Sequence, residues 1–133
     1  MDEQPVMVIE DNRDDEFFTL RTLSKANFHN VVVARDGAAA LDLLFEAGSQ
    51  ENPLPRFILL DLKLPKMDGL ECLLAIRADV RTRDIPVIIV SSSDNERDFS
   101  RCRSLRVKGY LNKPLDADEL AETLHGIGII YQT

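Results

Sequence analysis

Short apolar runs alternate along the chain with longer segments of helical periodicity. Val6-Met7-Val8-Ile9 stops abruptly at Glu10-Asp11-Asn12, and Val31-Val32-Val33 is β-branched throughout. Phe57-Ile58-Leu59-Leu60 breaks at one carboxylate, Asp61. Pro86-Val87-Ile88-Ile89-Val90 closes on Ser91-Ser92-Ser93, and Gly109-Tyr110-Leu111 runs into Asn112-Lys113-Pro114. Runs this apolar predict strands buried on both faces. Pro86 can open its strand because proline is tolerated at a strand start but not inside.

The intervening segments predict helices. Phe17, Leu20 and Leu23, with Phe18 beside them, recur up to a stop at Asn27. Asp36-Gly37 opens a second helix with Leu41, Leu44 and Phe45 on one face, and a polar loop with Pro53 and Pro55 runs from Gly48 to Arg56. The third helix spans Asp68 to Asp79, with Asp68 and Glu71 in capping-box spacing and Leu70, Leu73, Leu74 and Ile76 as its buried side. Ser93 with Glu96 repeats that spacing and starts a weakly amphipathic helix carrying Phe99, Cys102 and Leu105. The fifth helix starts at Asp116 and buries Leu120, Leu124, Ile127 and Tyr131. Strict alternation of apolar strands with helices predicts an α/β fold: a five-stranded parallel sheet covered on both faces, with right-handed crossovers.

In a parallel sheet every strand ends at the same edge, where open α/β sheets bind ligands. Glu10-Asp11, Asp61, Ser91 and Lys113 end four of the five strands, whereas the second ends at Ala34-Arg35. Each alone reads as a turn or surface residue; their coincidence at one rim is the signal. Carboxylates about 4 Å apart repel by about 4 kcal/mol at an effective dielectric of 20. A hard divalent cation relieves that repulsion, and Mg²⁺ favours a site of carboxylates, water and phosphate oxygens. With an ammonium and a hydroxyl added, the set suits in-line attack of a carboxylate oxygen on phosphorus.

Composition narrows the class. At 133 residues, 44% hydrophobic and 29% charged, the chain is expected to be one globular domain. A net charge of −7 argues against general nucleic-acid binding. Cys72 and Cys102 lack metal-ligand spacing, which predicts free thiols and a reducing, cytoplasmic setting without structural zinc. No apolar stretch reaches a membrane span, and Met1-Asp2-Glu3-Gln4 is too acidic for a signal peptide.

From about Val6 to Leu124 the chain resembles the receiver domain of two-component response regulators. The resemblance rests on Glu10-Asp11, on Leu59-Leu60-Asp61-Leu62-Lys63-Leu64-Pro65 with Met67-Asp68-Gly69, on Ile85 to Ser91, and on Gly109-Tyr110-Leu111-Asn112-Lys113-Pro114. The loop before Phe57 and the Asp11-Asn12 pair are also similar to phytochrome-associated single-domain regulators. The resemblance implies a flavodoxin-like fold of strand order 2-1-3-4-5, with residues 1–133 forming a receiver domain without an output domain. It implies Asp61 as phosphoryl acceptor, and Asp11, Asp61 and the Lys63 backbone carbonyl as Mg²⁺ ligands, with Glu10 holding metal-bound water. Mn²⁺ or Ca²⁺ would substitute in crystals. Lys113, before a cis Lys113-Pro114 bond, would pair with the phosphoryl group, Ser91 would donate its hydroxyl, and Tyr110 would be the switch aromatic.

Implied partners are a sensor histidine kinase and a downstream target or phosphotransfer protein meeting the helix 4–strand 5–helix 5 face, with no nucleic acid or membrane. The expected state is a monomer or weak homodimer. Arg106-Val107 replaces the usual Gly-Ala after helix four, which calls for a positive φ or a reshaped helix end. Arg97, Arg101, Arg103, Arg106 and Lys108 form a basic face suited to an acidic partner. Two other classes fit less well. Haloacid dehalogenase-like phosphatases place a second Asp two residues beyond their nucleophile, where this chain has Lys63. Phosphorylation-independent modules of the same fold typically lose a site residue, and here the set is intact.

Overall fold

A computed structural model describes residues 4–49, 52–64, 67–92 and 96–129. Ten elements alternate: β1 (Val6–Ile9), α1 (Arg13–Lys25), β2 (Val31–Ala34), α2 (Gly37–Glu46), β3 (Phe57–Leu60), α3 (Gly69–Ala78), β4 (Val87–Ser91), α4 (Glu96–Ser104), β5 (Gly109–Asn112) and α5 (Ala117–Gly126). The strands pair in parallel in the order β2-β1-β3-β4-β5. The sense in which successive strands are added reverses between β1 and β3, where Val8 stands opposite Leu59 and Ile9 opposite Leu60. That is the topological switch point of the sheet.

Strand residues alternate between two separate cores. Met7, Ile9, Ile58, Leu60, Val87 and Ile89 pack with Leu41 and Leu44 of α2, Cys72, Leu73 and Ile76 of α3, and Cys102 of α4. Val6, Val8, Phe57, Leu59, Ile88 and Val90 pack on the other face with Leu23 of α1 and Leu120 and Leu124 of α5. Burial on both faces explains why β1, β3 and β4 read as unbroken apolar runs. The step from β1 to β2 runs opposite to the later steps, and its helix α1 lies on the opposite face. All four crossovers therefore share one hand, as steric preference requires.

Helix starts match the sequence expectation where they can be compared. Asn12, Asp36, Asp68 and Asp116 cap their helices by accepting from the amides of Asp15, Ala39, Glu71 and Asp118. The predicted Ser93 cap lies outside the described residues, as does Tyr131. Three helices end alike: the amides of Phe28, Val107 and Ile129 reach back to the carbonyls of Leu23, Cys102 and Leu124. This closure needs a left-handed residue, supplied by Asn27 (φ 67°), Arg106 (φ 62°) and Gly128 (φ 84°). The positive φ anticipated at Arg106 is present.

Three side chains expected inside are outside. Phe17, Phe18 and Leu74 are 60%, 50% and 53% exposed. In α1 the sheet-facing row is Thr19 and Leu23, and the two phenylalanines are turned away from it, meeting edge-on instead. In α3 the row is Gly69, Cys72, Leu73 and Ile76, and a step of about 100° per residue carries Leu74 off it. Both cysteines are free and buried, and burial pushes the Cys72 thiol up to about 12, where it is inert. Among the described residues no helix is long and apolar enough to cross a membrane.

Candidate functional site

Asp61 follows β3 directly at the switch point, and its amide donates to the Ile9 carbonyl at 3.1 Å. Its residue is only 5% exposed. One carboxylate oxygen, Oδ1, accepts from the Lys63 amide at 3.0 Å, and Oδ2 accepts from Lys113 Nζ at 2.7 Å. Gly69 is what permits the loop behind Asp61 to close. A Cβ there would sit 2.4 Å from Leu62 Cα and 2.5 Å from the Asp61 carbonyl oxygen. The Gly69 amide instead donates to the Leu62 carbonyl at 2.9 Å, seating the start of α3 against the loop after Asp61.

Glu10, also buried, is held from two sides. Its Oε2 accepts from the Asn12 amide at 3.1 Å and its Oε1 pairs with Lys113 Nζ at 2.7 Å. Asp11 is exposed beside it, and one oxygen from each of Glu10, Asp11 and Asp61 lies within 4.8 Å of the others. Burial lifts the Glu10 carboxyl to about 7; the Asp61 charge adds to the lift, while Lys113 and the Asn12 amide oppose it. For Lys113 burial acts downward, but hydrogen bonds to Asp15, Asp61 and Glu10 outweigh it and hold the ammonium above its ordinary value. Three carboxylates at 2.7 Å thus favour the charged form of the lysine.

Lys113 reaches the crevice from the corner after β5, where the Lys113-Pro114 peptide is cis. Its amide donates to the Ser91 carbonyl at 3.1 Å, tying the ends of β4 and β5 together. Ser91 is the last residue of β4 and fully buried. Tyr110 lies on β5 opposite Ile89, half-buried, with its ring 5.2 Å from that of Phe99 on α4. The Arg103 guanidinium lies 5.9 Å from the other ring of this stack, Phe99. Lys63 has an exposed side chain, and its backbone amide is the one bonded to Asp61.

The structure thus gathers Glu10, Asp11, Asp61 and Lys113 at one rim. One participant was missed: Asp15, in the first turn of α1, whose Oδ2 lies 2.7 Å from Lys113 Nζ. The spacing Asn12-x-x-Asp15 carried a signal, because a cap and the third residue of its helix both face back toward the strand end. Oxygen donors alone, in excess of the single ammonium, are the donor chemistry of a hard divalent cation, and the residues present fit one.

A parallel sheet of order 2-1-3-4-5 with an acidic rim and a lysine at its switch point defines a flavodoxin-like receiver-type α/β domain. Residues 6–125 match the response regulator receiver domain, and the chain belongs to that family. It is 38% identical over 123 residues to the probable methanogenesis regulatory protein FilR2 of Methanothrix harundinacea, covering 92% of this chain and 79% of that protein. It is 36% identical to response regulator Rcp1 of Synechocystis sp., covering 92% and 84%. The bacteriophytochrome response regulator AtBRR superposes with a TM-score of 0.85 at 38% identity, over 100% of this chain and 98% of that one. The Mn(2+)-bound form of Rcp1 gives 0.76 at 32%, over 98% and 99%. The phosphorylated cyanobacterial phytochrome response regulator RcpA gives 0.77 at 35%, over 95% and 91%.

Proposed function

We propose that this receiver domain is a switch thrown by phosphorylation of Asp61, with a histidine kinase's phosphohistidine as donor. The observation that carries the reading is the buried Asp61 carboxylate with Lys113 Nζ at 2.7 Å beside the Glu10-Asp11 pair. An Asp61 oxygen attacks phosphorus, the O–P bond forms as the P–N bond breaks, and the imidazole nitrogen departs with the electron pair. Lys113 stays protonated and follows the transferred group as a fixed cation. Ser91 donates its hydroxyl to a phosphoryl oxygen. Catalysis of this kind is mainly positioning and charge neutralisation.

Asp11, Asp61 and the Lys63 carbonyl would hold Mg²⁺, with Glu10 orienting water on it; the ion supplies neutralising charge to the phosphoryl oxygens. The oxygen-rich rim and the Mn(2+)-bound form of Rcp1 support a divalent-cation site. Phosphorylated RcpA supports an acceptor role for a domain of this shape. Chemistry at the rim reaches the surface through Ser91 and Tyr110. An inward move of Tyr110 would part it from Phe99 and change the α4–β5–α5 face, where a target or phosphotransfer protein binds. The exposed Lys63 ammonium contacts the phosphoryl group and sets its lifetime, so decay in Lys63→Ala should differ from wild type. The setting is cytoplasmic, and the protein is a signalling component rather than an enzyme turning over a separate substrate.

The test is incubation with acetyl phosphate and Mg²⁺, read by intact mass. Wild type should gain one phosphoryl group and Asp61→Asn none. A wild-type protein that remains unmodified, or an Asn variant modified equally, would refute the reading.

A further inference from the structure

The rim carries a carboxylate beyond the family's acid pair and acceptor. Asp15 is the third residue of α1, and its amide donates to the capping oxygen of Asn12 at 3.0 Å. That bond fixes the first turn of the helix. The Asp15 side chain, 35% exposed, then extends to Lys113 Nζ at 2.7 Å, across 98 residues of sequence. Lys113 has three ammonium protons and meets three carboxylates, Glu10, Asp15 and Asp61, each at 2.7 Å. The three fill its donor capacity.

The three partners differ in what the phosphoryl step asks of them. Asp61 becomes the acyl phosphate, so its hold on the ammonium passes to a phosphoryl oxygen. Glu10 belongs to the cluster of oxygens fit for a cation, so its carboxylate has a second claim on it. Asp15 is neither the acceptor nor within the cluster of oxygens fit for a cation. It is the partner whose bond to Lys113 can persist while the other two change. We propose that Asp15 is a positioning residue: it anchors the Lys113 ammonium over Asp61 from α1 before and during phosphoryl transfer.

The start of α1 offers a competing role for Asp15. Asp14, Asp15 and Glu16 crowd the first turn of α1, where acids favour the helix dipole. A dipole role would be indifferent to Lys113, and this difference separates the two.

The inference rests on the phosphoacceptor reading, so one arm of its test needs no phosphorylation. In protein free of added metal and donor, the ¹H–¹⁵N signal of the Lys113 ammonium, assigned by its loss in Lys113→Ala, should be visible in wild type. It should broaden away in Asp15→Ala, which releases one proton to solvent. A signal unchanged in Asp15→Ala overturns the anchor even if phosphorylation proceeds. The second arm follows phosphorylation by phosphoramidate with Mg²⁺. The Asp61 O–P bond forms, the P–N bond of the N-protonated donor breaks, and ammonia leaves with the electron pair. Asp15→Ala should slow this about tenfold, and Asp15→Asn, which keeps an acceptor oxygen at the same reach, should retain most of the rate.

In a Lys113→Ala background Asp15→Ala should change the rate by less than about twofold, because residues that act through one another are non-additive. Equal slowing in both backgrounds, a wild-type rate in Asp15→Ala, or an Asn variant as slow as Ala would each overturn the proposal. Far-ultraviolet circular dichroism confirms folding of each variant. Failure of wild type itself to become phosphorylated would sink the phosphoacceptor reading and this inference's kinetic arm together, leaving the ammonium signal to report on the anchor alone.

Discussion

Gly69 has no space for even one more carbon, since backbone of the loop after Asp61 fills the position on two sides. Gly69→Ala should cost about 2 kcal/mol or more, measured by urea denaturation, and should displace Asp61 enough to slow phosphorylation. A variant with wild-type stability and rate would show that the loop gives way freely. Glu10 makes a different prediction. Its carboxyl is raised from about 4.5 to about 7, so between these values the folded state holds a proton that the unfolded chain has released. This contribution is fully present below about 4.5 and is lost as pH rises through about 7. Thermal melts without metal should show wild type losing stability relative to Glu10→Gln as pH rises across this window. A pH-independent difference would contradict the burial argument. At this scale the placement of Asp61, Glu10, Asp11 and Lys113 at one rim was legible because each follows an apolar strand. Asp15 was hidden within an acidic run, where a neighbour of Lys113 looks the same as a helix-start acid.

Elements were legible wherever local chemistry determines them. Asp36, Asp68 and Asp116 cap the helices they were expected to open, and replacing such a cap by Ala costs about 1 kcal/mol. Periodicity was less reliable for which face is buried. Counting Phe17 and Leu74 as apolar put them inside, but the rows that meet the sheet are set by packing, and small or polar residues such as Thr19 and Cys72 occupy them. Arg77 was equally invisible. From α3 its guanidinium donates to the carbonyls of Leu105, Arg83, Ile85 and Arg106, stapling the turns on either side of β4 and α4. Burial, then the charge of Arg106, pulls it below its ordinary value, but it stays protonated. Arg77→Lys cannot reproduce the fork and should destabilise by about 2 kcal/mol in chemical denaturation. Arg106→Gly should instead stabilise by about 1 kcal/mol, because the left-handed closure of α4 suits glycine better. A neutral or harmful effect there would mean that the Arg side chain contributes more than its backbone costs.

The whole molecule was the most legible scale, since strict alternation of strands and helices allows few arrangements and the hand of the crossovers removes most of those. The basic face read from the sequence on and after α4 is exposed at the four of its five residues whose side chains are described, all but Arg97. The protein is acidic, at −7, yet Arg101, Arg103, Arg106 and Lys108 lie exposed on and after α4. At the rim the imbalance is reversed, and linkage makes it measurable. Mg²⁺ at about 100 times its dissociation constant should add about 2.7 kcal/mol of stability to wild type. Asp11→Ala should lose most of that gain, and an Ala variant stabilised equally would remove Asp11 from the cation site.

The two-sided sheet also has an experimental use. Ile58 faces the layer of α2, α3 and α4, and Leu59, the next residue, faces the layer of α1 and α5. Methyl groups isotopically labelled at these two adjacent positions are thus independent reporters on opposite halves of the interior. Comparing their chemical shifts before and after loading with a phosphodonor would reveal which half repacks, without attaching any probe to the surface.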